Sequence, residues 1–237
     1  MIKVFKEPTI ALREQVIDTE ALPEYPISQR KLLGYVPHIH FKLIAIEPSQ
    51  IQYFKLDSSG FLPELELIFS DYMQYFRADL FALDNEIISI FINSKIGSLQ
   101  DIKMDFKILE YNYDRFSDVI YVKGTPNVDG LYLQENIAYR KKKSFEALNE
   151  LTTKLELGLG SNIESTDDMM TWINPGDTNI SFIKYVTKWA YKDVQSFFWS
   201  FIDFYYNLNF INVEIEMISD ASKNVAVIDG GEPIQQL

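Results

Sequence analysis

The chain contains no cysteine, which removes disulfides, thiolate metal ligands and cysteine nucleophiles together. A small disulfide-built secreted scaffold is excluded, and the composition suits a reducing cytoplasm. Histidine is almost absent: His38 and His40 are the only two. Basic residues are few, 22 Lys and Arg against 34 Asp and Glu, for a net charge of -12. That balance argues against a general nucleic-acid binder, which needs a basic face to displace counterions from phosphates. It also disfavours docking on anionic membranes. No uninterrupted apolar run is long enough to span a bilayer, because residues 194–213 are broken by Asp203, Asn207, Asn209 and Asn212. The N-terminal MIKVFKEPTIALREQ lacks the apolar core of a secretion signal. Neither a G-x-S-x-G elbow nor a G-x-x-x-x-G-K loop occurs.

What is present is a change of rhythm in 237 residues that are 47% hydrophobic and unusually aromatic, with 17 Phe and 14 Tyr. Large aromatic area serves both cores and interfaces. Residues 1–36 carry charges and prolines without a period and read as an N-terminal arm. From Pro37 apolar residues recur every second position, the strand period. Residues 40–46 and 51–56 flank a Glu47-Pro48-Ser49-Gln50 turn. Leu65, Leu67 and Phe69 alternate with Glu64 and Glu66, and Ile102, Met104, Phe106 and Ile108 alternate with Lys103, Asp105 and Lys107. Residues 85–94 (NEIISIFINS) are apolar on both faces, which predicts a central strand or an interface, with Ile87, Ile88, Ile90 and Ile92 as candidate interface residues. Residues 117–123 make a further strand before the Pro126–Gly130 turn. Short connections between these strands predict an antiparallel barrel or sandwich.

After about residue 139 the spacing turns helical. Ser144 is the expected N-cap of a first helix (Phe145, Leu148, Leu151, Leu155) with Gly158 just past its end. Asp177 or Asn179 opens a second helix, and Asp193 a third carrying Val194, Phe197, Phe198, Phe201, Ile202 and Tyr205. Residues 210–217 return to the strand period, and 219–237 read as a loop or tail. The expected fold is therefore α+β. It has an N-terminal arm (1–36), an antiparallel β-barrel or sandwich (37–138), an interposed helical (α/β) domain (139–207), and a returning strand and tail (208–237). That last strand must pair with the first sheet or with material from another chain.

Candidate chemistry is thin. His38 and His40, two apart on a strand, share a face, but no third ligand accompanies them, so no metal site is assigned. Gly158-Leu159-Gly160 follows a helix, where a dinucleotide fingerprint would open one. Glu64, Glu66, Asp71, Asp79, Asp84, Glu86, Asp167 and Asp168 are numerous enough for a paired-carboxylate hydrolase, yet Glu64 and Glu66 sit on a solvated face and Asp167 and Asp168 near a helix start. The basic cluster Arg140-Lys141-Lys142-Lys143 reads as a solvated junction, and the sequon Asn179-Ile180-Ser181 has no force without secretion. No catalytic residue and no cofactor are assigned.

The segment from SFEALNEL through TWINP, FIKYVTKWAY and SFFWSFIDFYYNLNFINVE resembles the inserted domain of baseplate hub proteins of contractile-tailed bacteriophages, the late control protein D group related to type VI secretion spike hubs. The preceding strands LPELELIFSD, DNEIISIFI and IKMDFKILE resemble that family's first tube-like barrel, so the likeness runs from about Pro37 to Met217. The resemblance implies a structural virion protein and not an enzyme: a hub subunit of the tail baseplate, assembled in the host cytoplasm. It implies a trimer that joins the tail tube to the central spike and adapts sixfold to threefold symmetry. The tail tube protein, the spike protein, other baseplate proteins and the tape measure protein are the implied partners, with DNA passing through the lumen without specific binding and no membrane involved. The sequence departs from the pattern by stopping where a second barrel is expected. A different reading, motivated by Trp172, Trp189, Trp199 and the tyrosines, is a glycan-binding module of a tail or cell-surface protein.

Overall fold

A computed structural model describes residues 2–10, 37–41, 44–72, 74, 76, 86–92, 100–114 and 116–218. Seven antiparallel strands form the first sheet: β2 (His38–Phe41), β3 (Ile44–Ile46), β4 (Ile51–Asp57), β5 (Glu64–Ser70), β6 (Ile87–Ile92), β7 (Ile102–Asp114) and β8 (Val119–Pro126). Their spatial order is β3-β2-β6-β7-β8-β5-β4. The edge strands β3 and β4 are joined by residues 47–50 alone, a tight turn with Pro48 in it and a Gln50 N–H to Glu47 O bond of 2.8 Å. A connection that short can only reach if the sheet curls until its two edges meet the same corner. The result is a half-barrel. The alternating residues fill it: Leu65, Leu67, Phe69, Ile88, Ile90, Met104, Phe106, Ile120 and Val122 are at most 1% exposed.

β6 is apolar on both sides because both sides are covered. Ile88 and Ile90 point into the barrel core, while Ile87 is 8% and Phe91 1% exposed on the opposite face. β2 and β7 flank the strand in the sheet, so neither of its edges is open.

The second half of the chain is not a helical block. β9 (Gln134–Lys142) and β11 (Met170–Thr178) form an antiparallel ribbon. β1 (Lys3–Lys6), β10 (Gly158–Ser161), β13 (Asn207–Asn212) and β12 (Phe198–Ile202) form a four-stranded sheet in that order. Helices α1 (Ser144–Lys154) and α2 (Asn179–Trp189) contact both the ribbon and this sheet. Trp172 of the ribbon, fully buried, meets Tyr185 of α2 edge-on at 6.2 Å, and on the sheet side the Thr187 hydroxyl donates to Ser200 at 2.9 Å.

Four expectations are corrected here. The third helix, from Asp193 to Tyr205, is absent; that stretch holds strand β12, whose Phe198, Ser200 and Ile202 are buried in alternation. The returning strand spans Asn207–Asn212 and pairs with β10 and β12, not with the barrel. It ends because the Asn212 side chain accepts from Glu214 N–H (3.1 Å) and opens a short helix, α3 (Val213–Ile218). The N-terminal segment is partly a strand, since Lys3–Lys6 pairs with β10. Finally, Gly158 does not end α1. Glu156, with φ of 59°, is the left-handed residue there. Gly158 lies inside β10, where an added Cβ would sit 2.1 Å from Asn207 Oδ1 and 2.8 Å from the Lys6 carbonyl.

One buried residue, Tyr206, hydrogen-bonds the second sheet to the middle of the barrel wall. The Asp203 carboxylate accepts the backbone N–H groups of Tyr205 and Asn207 (2.8 and 2.9 Å) and the side-chain amides of Asn207 and Asn209 (3.1 and 3.0 Å), shaping the β12–β13 turn. At its end Tyr206 adopts φ of 60° and is 4% exposed. Its hydroxyl accepts from Asp105 N–H (2.8 Å) and donates to Asp105 O (3.3 Å) on barrel strand β7. Replacing Tyr206→Phe leaves a buried N–H without a partner, so urea melts are expected to show a loss of about 1–3 kcal/mol. An unchanged midpoint would contradict this role for the phenol.

Candidate assembly surface

The residues that sequence singled out for chemistry are engaged elsewhere in the fold or lie apart. His38 and His40 share one face of β2, half-buried, and His38 lies 6.0 Å from the Phe91 ring. The ladder places His40 opposite Ser89, and Ser89 opposite Asp105. The serine hydroxyl donates to Asp105 and not to the imidazole, so a base-activated nucleophile is not formed. Among the described residues no cluster of three or more His, Asp or Glu is placed to hold a metal ion.

The carboxylates are dispersed. Glu64 pairs with Lys123 at 3.1 Å on the barrel surface. Asp71 is buried and accepts Phe76 N–H at 3.1 Å. Asp79 and Asp84 lie outside the described residues. Asp168 bridges two helices: one oxygen accepts Ser144 N–H at the start of α1 (2.9 Å), the other Tyr191 N–H just past α2 (2.8 Å). Ser144 is accordingly the first helical residue and Lys143 the cap position. In the basic cluster Lys142 pairs with Glu150 and Lys143 with Asp167 at 3.3 Å. Asn179 of the sequon is fully buried, its amide donating to Gly130 O at 2.8 Å.

Burial separates the tryptophans. Trp172 is enclosed, with its indole N–H donating to Lys142 O at 3.0 Å. Trp189 at the end of α2 and Trp199 on β12 are 58% and 56% exposed. With Tyr191, Val194 and Phe197 they make β12 and its approach the most apolar exposed stretch of the second half. β12 is also the outer strand of its sheet, so it offers backbone groups as well as side chains. At the other outer strand, β1, Ile2 and Val4 are 40% and 46% exposed. Sequence reasoning missed both rims. Helical spacing hides the β12 rim in the sequence, and the pairing of residues 3–6 with residues 159–161 has no local signal.

Between the two sheets a cleft of about 430 Å³ is lined by Pro8, Ile10, Gln100, Asp101, Lys103, Tyr205 and Tyr206. It brings together one acid, one base and two phenols, with no nucleophile beside a base.

No family model and no curated protein matches the chain. Among solved structures, the 43 kDa tail protein of prophage MuSo2 from Shewanella oneidensis superposes with a TM-score of 0.50 at 9% identity, over 74% of this chain and 54% of that protein. A tail protein from Neisseria meningitidis gives 0.47 at 10% identity, over 75% of this chain and 50% of its own length. A Francisella PdpA-VgrG complex gives 0.43 at 8%, over 79% of this chain and 33% of the matched chain. The chain shares the fold of the first of these tail proteins and spans about half its length.

Burial holds both histidines below their ordinary pKa, and the neighbouring His38 lowers His40 further. A depressed imidazole binds its proton more readily in the unfolded chain, so stability is complete above about pH 6.5 and declines as pH falls through that value. Urea midpoints are expected to drop between pH 7 and pH 5, and to drop less in the double variant His38→Gln, His40→Gln. Equal drops in both proteins would contradict the assignment.

Proposed function

We propose that this protein is a structural subunit of a phage-type tail, specifically a baseplate hub subunit that joins the tail tube to the central spike. The observation that carries the reading is the shared fold with a prophage tail protein. It is supported by the engagement of the chemically capable side chains: Asp168 and Asp203 accept backbone N–H groups, and Ser89 is tied to Asp105. A non-catalytic role suits such residues, because bonds of this kind hold geometry and leave no poised acid or base.

On this reading copies of the chain form a trimer in the tail baseplate, one end meeting the sixfold tube and the other the spike. Other baseplate proteins and the tape measure protein are neighbours. DNA passes through the lumen unbound, and a net charge of -12 favours low adhesion there. Of the four β6 isoleucines, half-buried Ile92 is the one a neighbour can reach. Ile88 and Ile90 act through folding, so Ile90→Asp is expected to abolish soluble protein by placing a charge in the core; a soluble, folded variant would return that residue to the interface.

A second reading, glycan binding on a tail or cell surface, is favoured by the exposure of Trp189 and Trp199, since sugars stack on exposed aromatic faces. The two readings separate in one experiment. Purified protein, alone and mixed with the tube and spike proteins of the same genome, is analysed by native mass spectrometry. The hub reading expects trimers and trimer–spike complexes; a monomer that binds neither but is retained on host polysaccharide would replace it with the glycan reading.

A further inference from the structure

We propose that the four-stranded sheet runs on from one copy of the chain into the next, the β12 edge of one copy pairing with the β1 edge of its neighbour. This rests on the self-association in the hub reading and specifies the surfaces that carry it.

Among the described residues no further strand pairs with either outer strand of this sheet; at the end of β12 the Ile202 N–H is taken by Phe61 O at 2.8 Å, so the stretch without a ladder partner on its outer side is Phe198–Phe201. β1 runs antiparallel to β10, β10 parallel to β13, and β13 antiparallel to β12. The two outer strands therefore point the same way. A rotation axis aligned with the strands preserves that direction, so successive copies join by a parallel ladder.

The side chains agree. Val4 lies opposite Gly160, Gly160 opposite Asn209, and Asn209 opposite Phe201, which sets Val4 and Phe201 on the same face of the sheet, with Trp199 two residues before Phe201. Exposed apolar side chains thus line both rims on the same side: Val4 at 46% and Trp199 at 56%. Joined edge to edge, they form one apolar seam.

Charge selects the pairing. From Lys188 to Glu216 the β12 rim and its approach carry Asp193, Asp203, Glu214 and Glu216 against Lys188 and Lys192, a net acidic stretch. β1 carries Lys3, whose side chain is 68% exposed and only loosely paired with Glu164 at 3.5 Å. A two-fold contact of β12 with β12 would bring two net-acidic rims together, whereas β12 against β1 brings a net-acidic rim beside a strand that carries Lys3 and Lys6. A contact between two different patches propagates around a ring.

The absence of cysteine makes the test direct. Val4→Cys and Trp199→Cys, both at exposed positions, are purified separately, mixed, and treated with a short bismaleimide. The mixture is expected to give a cross-linked dimer and each variant alone none, while the double variant gives a ladder ending at the ring size. Lys3→Glu in the mixture is expected to cut the yield several-fold. A product from either single variant alone would overturn the proposal in favour of a two-fold contact. No product from the mixture, with trimers still present by mass, would overturn this interface and leave the hub reading standing. A chain that stays monomeric throughout would remove both.

Discussion

The structure depends on the phenol of Tyr206. It sits at the tip of the β12–β13 turn, held in a left-handed conformation by the Asp203 carboxylate behind it, and reaches the backbone of Asp105 in the middle of the barrel wall. A left-handed non-glycine residue persists only where its surroundings over-determine it. Here Asp203 fixes the turn from one side and the paired Asp105 groups fix the ring from the other. Burial raises the phenol's pKa well above its ordinary value, so it stays a neutral donor and acceptor. Beside that contact the two sheets share the Ile202 N–H to Phe61 O bond of 2.8 Å, the Tyr205 hydroxyl to Gln100 O bond of 3.2 Å and one continuous apolar core.

With the two sheets joined, the distribution of apolar surface becomes meaningful. The barrel buries its own face, and β6, the most apolar strand, is paired on both edges and buried except at Ile92. In the second sheet, among the described residues, neither outer strand has a further strand beside it, and they carry exposed Val4 and Trp199. Natural proteins usually blunt such edges with charge, bulges or covering loops. β1 does carry a lysine and an irregular register after Val4, but β12 carries neither. An edge of that kind is either a liability or a contact.

Much of the barrel was legible because its strands alternate cleanly. Leu65, Leu67 and Phe69 could be placed on the core side from spacing alone, and Pro126–Gly130 announced its turn, with Gly130 at φ of 80°. The second half was not legible, for specific reasons. Val194 to Tyr205 satisfies helical spacing, but Phe198 to Ile202 is a run of aromatic and β-branched residues around one serine, a composition that favours a strand when a helix can cover one face. α2 covers that face, and this is tertiary information. Gly158 read as a helix terminator because Gly is common there; its actual constraint is Asn207, forty-nine positions away, pressed against its Cα side. Pairings of β1 with β10 and β10 with β13 are likewise non-local. The candidate surface followed the same division: the two-faced β6 was visible in sequence, while the rims emerge only from strand order.

Amide hydrogen exchange across a range of protein concentrations tests the central claim, that a rigid pair of sheets is completed by neighbouring copies at its open edges. The Asp105 amide should be protected at every concentration. The outward-facing amides of β1 and β12, those not bonded to β10, β13 or Phe61, should exchange quickly in dilute solution and slow together as concentration rises. Rapid exchange at both edges at all concentrations, or at Asp105 at any, would contradict the account.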